Sequence, residues 1–165
     1  MKLYLLRHAT AVDVASSDAE RELTREGREE AQIVGAAFAE LGVKLSRILS
    51  SPLLRARQTA EIAAKVSKFP GDVEFLEELA NSTTTTALLK ALKPFAAAAE
   101  IMLVGHMPAL SEHLAALIGA ESAQAFPLGK ASVACVELEQ LRAGTGQLRW
   151  LMRQKQLREI VHRQA

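Results

Sequence analysis

Six short apolar runs alternate with longer stretches in which apolar residues recur every three or four positions, and that alternation predicts an α/β fold. Lys2 to Leu6, Arg47 to Ser50, Val73 to Leu76, Glu100 to Val104, Ser132 to Glu139 and Gln147 to Met152 read as strands. Ala31, Val34, Gly35, Phe38 and Leu41 mark the inner stripe of a first helix, with Thr24 as N-cap and Gly42 as its stop. Ser51-Pro52 predicts a second helix start, with Ser51 as N-cap and Pro52 in the first turn. That helix runs to Lys68 with Leu54, Ile62 and Val66 inward, and Phe69-Pro70-Gly71 breaks it. A third helix covers Ala87 to Leu92 and ends at Pro94. Pro108 opens a fourth, with Leu110, Leu114 and Leu117 inward and Gly119 at its end.

Gly144-Thr145-Gly146 joins the last two strands as a hairpin, and Trp150 faces the core in alternation with Leu148 and Met152. Arg153, Lys155, Arg158 and Arg163, set around Leu157, Ile160 and Val161, predict a terminal amphipathic helix. The expected architecture is a three-layer sandwich: a mostly parallel central sheet of about six strands flanked by helices. It forms a single domain over residues 1–165, with no internal repeat.

Composition narrows the function. At 49% hydrophobic residues the chain can bury a sizeable core, and a formal charge of +1 argues against a general nucleic-acid binder. An anion site must then be local. The single cysteine, Cys135, allows neither an intrachain disulfide nor a cysteine-based metal cluster and reads as a small core residue. Arg7 and His8 interrupt the first apolar run before it could serve as an export signal, and no run is long enough to span a bilayer. A cytoplasmic location, without membrane or nucleic-acid partners, is expected.

The candidate chemistry sits where strands end. Leu6-Arg7-His8 closes the first strand, Ser50-Ser51-Pro52 with Arg55 follows the second, and Gly105-His106-Met107-Pro108 follows the fourth. In open α/β sheets the C-terminal strand ends are where ligands bind. Arg55 falls near a helix N-terminus, where a cation is unfavourable unless an anion lies between it and the exposed N–H groups. A phosphate is such an anion. His113, inside the fourth helix, and His162, near the C-terminus, lack the strand-end setting and read as packing or surface residues. Ser82 to Thr86 reads as a polar loop and helix cap.

These segments resemble the histidine phosphatase superfamily, also called phosphoglycerate mutase-like. The resemblance is carried by Leu6-Arg7-His8-Ala9, by Ser51-Pro52-Leu53-Leu54-Arg55-Ala56-Arg57-Gln58-Thr59-Ala60, by Val104-Gly105-His106-Met107-Pro108 and by Leu23-Thr24-Arg25-Glu26-Gly27. It covers nearly the whole chain. Ala9, where the superfamily usually has glycine, together with Arg21-Glu22-Leu23-Thr24 and the short length, resembles the SixA branch of phosphohistidine phosphatases.

The resemblance implies a phosphatase that needs neither cofactor nor metal. His8 would attack phosphorus and form a phosphohistidine, while Arg7, Arg55 and His106 hold the non-bridging oxygens. One ring nitrogen of His8 should then donate to a backbone carbonyl or similar acceptor. Glu78, in Leu76-Glu77-Glu78-Leu79, matches the family's proton donor, with Asp13 and Asp18 as alternatives; Thr10 is a further candidate for phosphate contact. A phosphorylated imidazole is an activated donor that tolerates a weak acid. The loops after His8 and around Asn81 to Thr86 are expected to be short, leaving an open site suited to a phosphohistidine presented by another protein. A phosphatase for a small phosphorylated metabolite and a non-catalytic phospho-ligand module are the alternatives.

Overall fold

The structure is a computed structural model and describes residues 1–163. Its strands are β1 (Lys2–Arg7), β2 (Arg47–Ser50), β3 (Val73–Phe75), β4 (Glu100–Gly105), β5 (Val133–Leu138) and β6 (Gly146–Met152). Its helices are α1 (Arg25–Glu40), α2 (Leu54–Val66), α3 (Thr85–Leu92), α4 (Ala109–Ile118) and α5 (Gln154–His162). One sheet runs in the order β3-β2-β4-β1-β5-β6, parallel from β3 to β1 and antiparallel across β5. This is the expected three-layer sandwich.

β1 and β4 are apolar on both faces because helices cover both sides. Tyr4 and Leu6 of β1 join Ala31, Val34 and Phe38 of α1 and Leu157 of α5 in one core cluster. Leu3 and Leu5 point the other way, with Leu88 and Leu92 of α3 and Leu110 and Leu114 of α4 in a second cluster. The apolar stripe of α5 thus lies against α1, leaving its basic residues outward.

The helix starts differ from the sequence expectation at two prolines. α2 begins at Leu54, with Leu53 rather than Ser51 at the cap position, and α4 begins at Ala109, with Pro108 as its cap. The Ser51 hydroxyl accepts from the Leu53 N–H at 3.3 Å, so it organises the turn before the helix instead. The inner face of α2 also differs: Ala56, Thr59, Ala60, Ala63 and Ala64 are buried, whereas Leu54, Ile62 and Val66 are only partly covered. Gly35 of α1 explains this. A Cβ there would lie 2.7 Å from the Ala63 carbonyl oxygen, so the two helices meet too closely for leucine.

A bulge between Cys135 and Val136 changes the hairpin as well. Cys135 pairs with Trp150 but Val136 pairs with Leu148, which leaves Arg149 as the extra residue. Trp150 and Met152 therefore pack on the first cluster and Leu148 on the second. The three do not share one face.

The segment from Ala9 to Thr24 is neither short nor loose. Ala11 bridges Leu23, residues Asp18–Glu20 form a 3-10 turn, and Arg21 Nε donates to the Val12 carbonyl at 2.7 Å. Its return leg enters α1 through Thr24, whose hydroxyl accepts from the Gly27 N–H at 3.0 Å. A side chain at Gly27 would collide with the Thr10 carbonyl oxygen, which is why this turn takes glycine. Among the described residues no helix is long and apolar enough to cross a membrane.

Candidate active site

Because β2, β4 and β1 are neighbours and parallel, their C-terminal ends deliver Ser51, His106 and His8 to one edge of the sheet. Backbone bonds fix the exits: His8 N–H to the Gly105 carbonyl at 3.0 Å and Ser51 N–H to the Val104 carbonyl at 2.9 Å. The His8 and His106 rings lie with centroids 5.0 Å apart, inclined by 50°. Both residues are buried, as is Arg55 in the first turn of α2.

His8 Nδ1 lies 2.8 Å from the Ala9 carbonyl oxygen. A carbonyl can only accept, so the ring proton sits on Nδ1 and the Nε2 lone pair is left available. His106 Nε2 lies 2.8 Å from Ser51 Oγ. The same oxygen accepts from the Leu53 N–H. His106 Nδ1 is buried and without a partner among the described residues.

Arg7 Nη1 donates to the Leu128 carbonyl at 2.8 Å. Arg55 has a different partner: its Nη1 donates to the Asp18 carbonyl at 2.7 Å and its Nη2 to Asp18 Oδ2 at 3.0 Å. These bonds, with those from Arg21, hold the Asp18 carboxyl below the usual carboxylate range. Asp18 is therefore ionised and acceptor-only, which removes it as an alternative proton donor in this state. Asp13 is fully exposed, with Arg21 at 3.9 Å. Glu78 sits half-buried in a 3-10 turn, Glu77–Leu79, whose last carbonyl borders Gly105. That turn stands beside the His106 exit.

Burial is the main cause that pushes the His8 pKa down to about 3, followed by the charge of Lys130; the Ala9 carbonyl works the other way. His106 is lowered to about 4 by burial and then by Arg55. His113, packed inside α4 with Nδ1 2.9 Å from Thr85 Oγ1, is lowered to about 4 by burial alone. His162 is exposed.

The three depressed values have a consequence for stability. An unfolded chain binds these protons below a pKa near 6.5, whereas the folded one refuses them until about 3 to 4. Stability is full above pH 6.5 and is lost as pH falls toward 4, by roughly 1–2 kcal/mol per histidine at pH 5. Urea unfolding midpoints measured from pH 7.5 to 4.5 should fall accordingly, and His113→Phe should make the decline shallower. A flat profile would contradict the buried neutral rings.

Several residues that support the site have no clear sign in the sequence. Thr59 Oγ1 accepts from the Ala9 N–H at 3.0 Å and donates to the Arg55 carbonyl at 2.7 Å, tying the residue after His8 to α2. Gln58 Oε1 accepts from the Leu23 N–H at 2.7 Å. Glu30 accepts from both the Thr10 N–H and its hydroxyl, at 2.8 and 3.2 Å, so the Thr10 side chain turns toward Glu30. Gln58 and Thr59 fall within the Ser51–Ala60 segment that carries the resemblance, whereas Glu30 has no such signal. Lys130 had none.

The histidine phosphatase superfamily (branch 1) matches residues 3–84. Phosphohistidine phosphatase SixA of Escherichia coli (strain K12) is 30% identical over 155 residues, spanning 92% of this chain and 93% of that protein. A structure of the protein histidine phosphatase SixA complexed with tungstate superimposes with a TM-score of 0.86 at 28% identity, covering 95% of this chain and 99% of that one. A putative phosphohistidine phosphatase SixA from Agrobacterium tumefaciens gives 0.78 at 26% identity, over 92% and 97%. With similarity of this extent, the chain belongs to the histidine phosphatase superfamily, on its SixA-type branch, and is a phosphatase.

Proposed function

We infer that the protein is a phosphohistidine phosphatase that works without a metal, through a phosphohistidine on His8, and that its substrate is a phosphohistidine carried by another protein. The observation that supports this most directly is the His8 ring: its proton is held at Nδ1 by Ala9 and its Nε2 lone pair is free. Tungstate has the shape and charge of phosphate, and the similar SixA protein is known in complex with it.

In the first step the His8 Nε2 lone pair forms a bond to phosphorus while the bond from phosphorus to the leaving nitrogen breaks. Arg7, Arg55 and His106 bind the non-bridging oxygens as charge redistributes. The leaving imidazole takes a proton, with Glu78 as the assigned donor. Because a protonated imidazole leaves readily, the demand on that carboxyl is small. Water then attacks phosphorus and gives a proton back to Glu78, the phosphorus–Nε2 bond breaks, and orthophosphate and neutral His8 are restored.

The test offers a phosphohistidine protein, a phosphoserine peptide and a simple phosphate monoester in the presence of a chelator. Turnover of the first with an acid-labile phosphoenzyme is expected. Turnover confined to small esters would move the reading to a metabolite phosphatase, and binding without turnover would reduce the site to a phospho-ligand module.

A further inference from the structure

A turn fastened to β1 brings one more cation to the site. The Ser132 N–H donates to the Gly129 carbonyl at 3.1 Å, closing a tight turn with Lys130 and Ala131 at its centre. Ala131 is buried and holds a φ of 48°, a left-handed conformation that glycine takes freely and alanine does not. The turn is held on both sides of the lysine. The Leu128 carbonyl accepts from Arg7 Nη1 at 2.8 Å, and the Ala131 N–H donates to the His8 carbonyl at 3.3 Å. Gln154 Nε2, from α5, adds a bond to the Ala131 carbonyl at 3.0 Å. Lys130 is thereby flanked by anchors to the two residues that end β1.

The ammonium of Lys130 has no carboxylate of its own. None of the ion pairs among the described residues includes it. Glu30, whose charge acts on it, is engaged by Thr10. Arg21, another cation in this field, is paired with Asp18 at 3.1 Å. Lys130 is half-buried, and burial together with Arg7, Arg21 and Arg55 disfavours its charged form. Its charge in turn acts on both His8 and His106. A half-buried cation among other cations, with no ion pair of its own among the described residues, gains from an arriving anion.

We propose that Lys130 is a phosphate-binding residue, contacting a non-bridging oxygen of the phosphoryl group from the β5 side of His8. Arg55 approaches from α2, beyond β4, so the two flank the phosphoryl group on opposite sides of β1. The proposal rests on the phosphatase reading above and adds a contact to it.

Lys130→Gln and Lys130→Arg separate this role from a structural one. Orthophosphate affinity, measured by calorimetry on the full chain, is expected to weaken about tenfold or more in Lys130→Gln and to return to within about threefold of native in Lys130→Arg. The His8 imidazole, followed by NMR, should titrate at higher pH in Lys130→Gln because a neighbouring cation is gone. Unchanged orthophosphate affinity in a folded Lys130→Gln overturns the proposal. So does a defect confined to KM for a phosphoprotein, which would place Lys130 on the carrier and not on the phosphoryl group. Orthophosphate binding needs no turnover, so weakened binding in a protein that fails to hydrolyse phosphohistidine would leave the Lys130 contact standing and reject the substrate reading.

Discussion

His8→Ala is expected to lower turnover by roughly 10³- to 10⁶-fold and to abolish the acid-labile phosphoenzyme, because it removes the imidazole lone pair proposed to attack phosphorus. The loss should fall on chemistry rather than on binding. Arg7, Arg55 and His106 are held by their own partners, Leu128, Asp18 and Ser51, none of which depends on the His8 ring. Orthophosphate should therefore still bind His8→Ala within about tenfold of native, as most of the anion's donors remain. The backbone of residue 8 would keep its bonds to Gly105 and Ala131. Rapid-quench measurement with a phosphohistidine substrate checks the result, and a variant that turns over within tenfold of native would rule out the covalent route.

Arg55→Ala is expected to reduce kcat/KM by about 10²- to 10³-fold, the scale for removing a preorganised donor from a buried site. Its effect has two parts. One is the loss of a charged fork that meets two oxygens at once, so Arg55→Lys should recover only part of the rate. The other is the release of Asp18, since both Arg55 bonds to that residue disappear. Hydrogen exchange should accelerate across residues 13–20 while α2 stays protected, because Thr59 bonds the main-chain carbonyl of residue 55 and not its side chain. A kcat/KM within threefold of native would remove Arg55 from phosphoryl binding.

The strand ends were legible in the sequence because β1 and β4 are buried in the sheet and read as unbroken apolar runs, and the short β2 carries Ile48 and Leu49 before Ser50-Ser51-Pro52, each strand being followed by its functional side chain. Lys130 was invisible for the opposite reason. Its place beside His8 depends on β5 lying antiparallel to β1, a pairing that no local pattern near Lys130 announces. The inner face of α2 was misread because periodicity favours leucine, whereas Gly35 of α1 sets a helix separation that only alanine and Thr59 fit. The segment after His8 reads as short in the sequence because its polar residues carry no period. Its order comes from Arg21, Gln58 and Arg55, which reach it from elsewhere in the chain or fold it on itself.

The bond from Asp18 to Arg55 also bears on how the site empties. A carboxylate held beside the guanidinium by its own backbone acts as an intramolecular competitor for that cation. Any anion that takes Arg55 must displace it, so weakly held anions in the surroundings are turned away while a group gripped by several donors is admitted. Once only orthophosphate is left in the site, the same carboxylate is already beside the guanidinium it must reclaim. In the proposed reaction the acidic turn at Asp18–Glu20 would then favour product dissociation, and turnover would not have to wait for the anion to escape an otherwise unopposed cluster of cations.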